Sequence, residues 1–147
     1  MKFRTSLCLL TLALAASSAL TAHASACSNK TLKGTWANSI HGQIFLPDGS
    51  TLIVAGISMT TYDGEGNSTG FDAVGVNGNI VPGWRPGSGT YTVNPDCTGT
   101  STGVIPGMPD LHLQFIISQS GNTTHFVVVD PGFATAGDSE RVFTSHK

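Results

Sequence analysis

"GTYTVNPDCTGTSTG", Gly89 to Gly103, is the stretch whose reading decides the fold. Thr, Tyr and Val alternate into Asn-Pro-Asp, and Thr alternates with small residues on the way out. A period of two marks a half-buried strand, and Asn-Pro-Asp between two such runs marks a turn. The stretch is a hairpin with a cysteine, Cys97, just past its tip.

The same punctuation recurs on both sides. "PDGS" (47–50), "DGEGN" (63–67), "NGN" (77–79), "RPGSG" (85–89), "PGMPD" (106–110), "SGN" (120–122) and "DPG" (130–132) separate runs rich in β-branched and aromatic residues. No run carries apolar residues at helical spacing. Strands are expected near 34–45, 51–61, 68–76, 88–93, 98–105, 111–118, 123–129 and 134–144. Eight strands with short connections predict an all-β chain, a single eight-stranded antiparallel up-and-down barrel, which leaves no edge open. A two-sheet β-sandwich is the alternative.

One hairpin can be read to its register. With its turn at Gln119 to Asn122, Phe115 falls opposite Phe126, Leu113 opposite Val128 and Ile117 opposite Thr124. That nearly all-apolar face is the expected core. The other face, with His112, Gln114, Ile116, His125, Val127 and Val129, is expected to meet solvent.

Residues 1–26 form a separate unit. Lys2 and Arg4 precede an apolar run, Leu7 to Ala16, and "AHASA" (22–26) offers small residues ahead of Cys27. This is the pattern of a cleaved secretory signal, and the run is about half of the roughly 20 residues that span a bilayer. A lipoprotein signal with Cys27 acylated is the alternative, but Ala24 stands where such signals carry Leu. The barrel domain is then 27–147, secreted or periplasmic, with no membrane span. Cys8 leaves with the signal, so Cys27 and Cys97 remain, and an even pair in an exported chain reads as one disulfide. It would tie the N-terminus of the domain to the hairpin tip across about 70 residues, worth roughly 4 kcal/mol.

Losing Lys2 and Arg4 leaves five of the seven basic residues against nine acidic ones, a net charge near −4. Such a balance offers no footprint for a phosphate backbone, so no nucleic-acid partner is expected.

Catalytic and metal patterns fail one by one. His112 and His125 share a hairpin face, but His125 lies opposite Ile116, roughly 13 Å from His112, too far for one zinc ion. His41 and His146 have no ligand-like spacing, so no metal site is assigned. Asp48, Asp63, Asp96, Asp110, Asp130 and Asp138 adjoin Gly, Pro or small polar residues, where Asp caps turns; Asp72 is read as the one acid inside a strand. "DGEGN" lacks the Gly and Glu spacing of an EF-hand loop. No G-x-S-x-G and no phosphate-binding loop occurs, and no cofactor is implied.

"LKGTWANS", Leu32 to Ser39, resembles the opening strand of the calycin barrels, the lipocalins and avidins. In that superfamily a basic residue on the last strand packs across the Gly-x-Trp tryptophan, and Arg141 of "SERVFT" occupies the matching place opposite Trp36. The resemblance implies that these two residues close the barrel's end. "CSNKTLKGTWAN" is similar to an avidin start, which makes Asn38 a ligand-facing residue. Trp84 is the only tryptophan besides Trp36, and His41 and Gly42 stand where avidins carry a serine. From the Cys and "GTW" start through "YDGEGNSTG" to "GTYTVNPDCTGT", the chain also resembles small exported bacterial β-barrel proteins, which implies a fold and a compartment.

Three functional readings follow. The first is non-catalytic binding of a small apolar or amphipathic ligand inside the barrel, with Asn38, Trp84 and Met59 as candidate binding residues. Ile53, Ile57, Met59, Val74, Leu113, Phe115 and Phe126 would line or fill the interior. The second is a solid barrel acting through its loops or outer face. The third is a barrel enzyme of the allene oxide cyclase or dirigent type.

Overall fold

Alternating inward and outward positions carry the chain around one closed wall. The computed structural model describes residues 26–142; the expected signal segment up to residue 25, His146 and the expected end of the last strand at 143–144 lie outside them. A four-residue helix, α1 (Asn29–Leu32), precedes nine strands: β1 (Gly34–Phe45), β2 (Thr51–Tyr62), β3 (Asn67–Val76), β4 (Asn79–Ile80), β5 (Arg85–Val93), β6 (Thr98–Val104), β7 (Leu111–Ile117), β8 (Thr123–Val128) and β9 (Phe133–Arg141). Every long strand pairs antiparallel with its neighbours in the chain, and β9 returns to β1, so eight strands close one barrel rather than stacking as a sandwich. The two-residue β4 pairs with β3 alone.

Turn carboxylates do much of the local work. Asp48 accepts the Ser50 N–H at 2.9 Å, and Asp96 accepts that of Thr98 at 3.0 Å. Asp63 Oδ1 accepts the N–H groups of Glu65, Gly66 and Asn67, while Oδ2 takes the Asn67 amide. The Asn67 side chain and then these N–H groups pull the Asp63 pKa down to about 2. This is a hairpin turn with its acceptor lone pairs spent on backbone. Asp138 departs from the turn reading. It lies in β9, on the outer wall, 2.5 Å from His125 Nδ1. A β9 that begins at Phe133 runs straight through it.

The β7–β8 hairpin pairs Leu113 with Val128, Phe115 with Phe126 and Ile117 with Thr124. Phe115, Ile117, Thr124 and Val128 are buried, whereas Ile116, His112 and His125 face water. The two phenylalanines also explain two glycines. Gly99 is the β6 partner of Phe115 and Gly137 the β9 partner of Phe126. A Cβ on Gly99 would stand 2.2 Å from the Phe115 ring, and one on Gly137 would stand 2.4 Å from the Phe126 ring. Each ring therefore occupies the space that a neighbouring strand's side chain would need, and the row Gly99–Phe115–Phe126–Gly137 packs one side of the barrel.

One strand corrects the expected interior. The inward positions of β2 are Leu52, Val54, Gly56, Ser58, Thr60 and Tyr62, so Ile53, Ile57 and Met59 point outward, Ile53 being 61% and Ile57 55% exposed. Because "TLIVAGISMTTY" has apolar residues at both parities, hydrophobicity alone did not fix its face; buried Val54 and the inward Tyr62 do.

Candidate functional site

The sequence places a plug at one end of the barrel. Ser28 opens α1, its N–H donating to Thr31 Oγ1 at 3.0 Å, and Asn29 Oδ1 accepts the Val93 N–H at 2.8 Å. The Tyr91 hydroxyl donates to Asn29 O and accepts from Gly64 N–H. Cys27 and Cys97 are joined, Cα to Cα 5.0 Å, fastening the start of this segment to the β5–β6 tip. So pinned, α1 drives Leu32 into the barrel, where it is 1% exposed beside the wholly buried Trp36. Trp36 Nε1 donates to Leu32 O at 2.7 Å.

Arg141 completes this end. It is the β9 partner of Trp36, its guanidinium carbon 4.4 Å from the indole centroid. Its N–H groups donate to the carbonyls of Lys33, Thr31 and Gly121 and to Asn122 Oδ1. Burial lowers its pKa from the usual arginine value. Tyr62 stacks edge-on with Tyr91 at 4.9 Å, and burial followed by the nearby Tyr91 pushes its phenol up to about 12. Leu32 and Trp36 are buried in the plug, and Asn29, Tyr91 and Arg141 bind it together by hydrogen bonds.

Beyond the plug the interior is hollow. A cavity of about 180 Å³ has Leu32, Tyr62 and Phe115 at its floor and extends to Arg85 and Ile105 towards the far end. Its existence follows from small inward residues: Ser68 and Gly70 on β3, Gly87 on β5, and Ser101 and Gly103 on β6. Phe126, Leu113 and Ile40 supply apolar wall, and Asn38, Ser58, Thr60, Thr124 and Ser139 a polar one.

Asn38 is buried here, and its amide nitrogen donates to Ser58 Oγ at 2.8 Å, Thr60 Oγ1 at 3.1 Å and the Ser58 carbonyl at 3.3 Å. A carbonyl only accepts, which fixes the amide's orientation and leaves Oδ1 as its free acceptor. Asp72 and Arg85, directly paired across β3 and β5, form a two-point ion pair in the lining at 2.7 and 2.9 Å. Arg85 also donates to Met108 Sδ at 3.4 Å, which ties the β6–β7 loop to the pair.

Of the candidate binding residues, the cavity includes Asn38 only. Met59 faces outward from β2, next to Phe71 of β3. Trp84, 57% exposed, sits outside the wall with its ring 5.0 Å from that of Phe71. Sequence reasoning missed the Asp72–Arg85 pair because Arg85 lies in a Pro-Gly stretch that reads as a turn; the lone acid inside a strand was the available signal. On the outer wall, Asp130 accepts both the backbone N–H and Nδ1 of His112, each at 2.7 Å. These two contacts, backbone first, lower the Asp130 pKa. Among the described residues no cluster of three metal-ligating side chains occurs. No protein family, curated protein or solved structure matches the chain.

Proposed function

We propose that the protein is exported and that its barrel carries one small, uncharged, amphipathic molecule, binding it without transforming it. The observation that carries this reading is the hollow of about 180 Å³ walled by Phe115, Phe126 and Leu113 on one side and by Asn38 and hydroxyls on the other. An apolar cavity of roughly 150 Å³ takes benzene, and drug-sized ligands need roughly 300 Å³ or more. The occupant is therefore on the order of ten non-hydrogen atoms. The ionic groups of the lining, Asp72 and Arg85, neutralise each other, which favours a ligand without charge. A donor on the ligand would meet Asn38 Oδ1. The disulfide supports export, since such bonds persist in oxidising compartments.

Gly103 offers the test. A Cβ there meets nothing closer than 4.0 Å, so Gly103→Leu fills the hollow without a backbone clash. Native mass spectrometry of protein from its own host should find a small adduct on the wild type and none on Gly103→Leu. Thermal-shift screening of neutral fragments should show the same contrast. A wild type without adduct or shift, or a shift that survives Gly103→Leu, overturns the reading.

A further inference from the structure

Strand β2 is hydrophobic on the wrong side for a solvated wall. It sends Gly56, Ser58 and Thr60 inward and Ile53, Ile57 and Met59 outward. The pairing continues the apolar surface sideways: Met59 lies beside Phe71, Ile57 beside Ala73, and Phe71 beside Pro86. Ile80 covers Gly75 on the same side, its side chain 2.8 Å from where a Cβ would stand. Trp84 closes over Phe71 at 5.0 Å. Scattered exposed apolar residues are ordinary, but a contiguous run of this kind marks an interaction surface.

We infer that this face is a two-fold contact with a second copy of the chain. Electrostatics permits that occupant. Among the described residues, no Asp, Glu, Lys or Arg stands at an outward position of β1, β2 or β3, Asp72 being inward. Of the long strands described, only β9 carries outward charges, Asp138 and Glu140, so two copies of this acidic chain meet without like-charge repulsion at β2–β3 and not at β9; the equally uncharged β6–β8 wall exposes fewer and smaller apolar side chains. A two-fold axis places identical surfaces against each other, which an uncharged apolar face tolerates and a charged one does not. Lys30 and Lys33 sit at the plugged end, Lys33 against the β2–β3 turn at Gly64, so no basic side chain stands among the outward residues of these strands to attract an anionic bilayer.

Size sets the class of contact. With β1 and β2 twelve residues long, β3 ten and β5 nine, at roughly 3.3 Å each, and four strands roughly 4.8 Å apart, the wall from β1 to β5 is about 35 by 15 Å. Its projected area, on the order of 500 Å², is below the roughly 800 Å² that each partner gives to a standard interface. The contact is a weak, reversible dimer, at the small end of specific interfaces. It is independent of the cavity and stands whether or not a ligand is bound.

Sedimentation velocity from low to high micromolar concentration should move from monomer to dimer. Over the same range Trp84 emission should shift to the blue, while Trp36, buried in either state, stays constant. Ile57→Lys should weaken association about tenfold or more, as loss of a central contact residue does. Ile116→Lys, at a 53% exposed site on the opposite wall, should leave it unchanged. A wild type that stays monomeric with an unmoved Trp84 emission overturns the proposal without recourse to any variant. So does a monomer whose Trp84 shifts only on phosphatidylcholine vesicles, or an effect of Ile116→Lys in place of Ile57→Lys.

Discussion

The guanidinium of Arg141 stands 4.4 Å over the ring of Trp36, and the two residues are direct partners across the β9–β1 seam where the barrel closes. The same group reaches Thr31 and Lys33 on one side and Gly121 and Asn122 on the other. It thereby joins the plug, the seam and the β7–β8 turn with one planar fork. Lysine has neither the plane nor the number of fixed donors. Arg141→Lys should cost about 1–3 kcal/mol by denaturant unfolding, since it strands several carbonyls. An unchanged midpoint would mean that water replaces those contacts freely.

Gly99 and Phe115 should behave as one unit. Gly99→Ala puts a methyl group into the Phe115 ring and should destabilise by about 1–3 kcal/mol, as overpacking does. Phe115→Leu alone should also destabilise by removing core contacts. In the double variant the smaller side chain admits the methyl, so the costs should fall short of additive by about 1 kcal/mol or more. A strictly additive cycle would place the ring elsewhere.

The difference between what the sequence announced and what it concealed is physical. Turn chemistry is local, so Asn-Pro-Asp before Cys97 and Asp-Gly-Glu-Gly-Asn from Asp63 marked strand ends to within a few residues. The β7–β8 register was legible because its turn is short and one face is nearly all apolar, while the other mixes Ile116, Val127 and Val129 with His112, Gln114 and His125. The faces of β2 were not, because Ile53, Val54, Ile57 and Met59 occupy both parities and only long-range closure chooses between them. Helix α1 is a single turn, too short for a 3.6-residue pattern. The Asp72–Arg85 pair depends on the β3–β5 register across the intervening loop, which no local signal encodes. Asn38 was found through a resemblance at the opening strand, and the cavity it faces comes from glycines and serines on β3, β5 and β6.

Tyr62 predicts alkaline behaviour. Its phenol is held at about 12 in the fold against 10.0 for a free side chain. Below pH 10 both states keep the proton and the contribution is complete. Between about 10 and 12 the unfolded chain releases it first, so stability falls as pH rises. The loss should approach about 2–3 kcal/mol by pH 12. Tyr62→Phe keeps the ring and removes the proton, and should flatten this part of the stability–pH curve. If the wild-type and variant curves run parallel from pH 9 to 12, another group is responsible.

Cys97 is held at φ 69°, the left-handed region, at the tip of the β5–β6 hairpin. A non-glycine residue there costs on the order of 1 kcal/mol, which the link to Cys27 offsets. Cys27→Ser with Cys97→Ser should lose about 2–4 kcal/mol. Cys27→Ser with Cys97→Gly should lose less, since glycine adopts that backbone freely. Equal losses in the two variants would remove backbone strain from the account.

The Asp72–Arg85 pair lies in the cavity lining with side chains 12% and 26% exposed, between a surface pair and a sealed one. Removing one partner from a fully buried pair costs about 3–5 kcal/mol, and residual solvent here should reduce that to about 1–3. Asp72→Asn should therefore destabilise by the lower figure, because the amide still accepts one hydrogen bond from Arg85. Asp72→Leu should cost more, leaving a guanidinium with only Met108 for company. Asp72→Leu combined with Arg85→Met removes both charges and should recover most of that loss. The double variant should also admit a more apolar set of fragments, because the lining no longer holds an ion pair. A double variant as unstable as Asp72→Leu alone would show that the pair holds the β3–β5 register itself, and that its packing, not its charge, is what the barrel needs there.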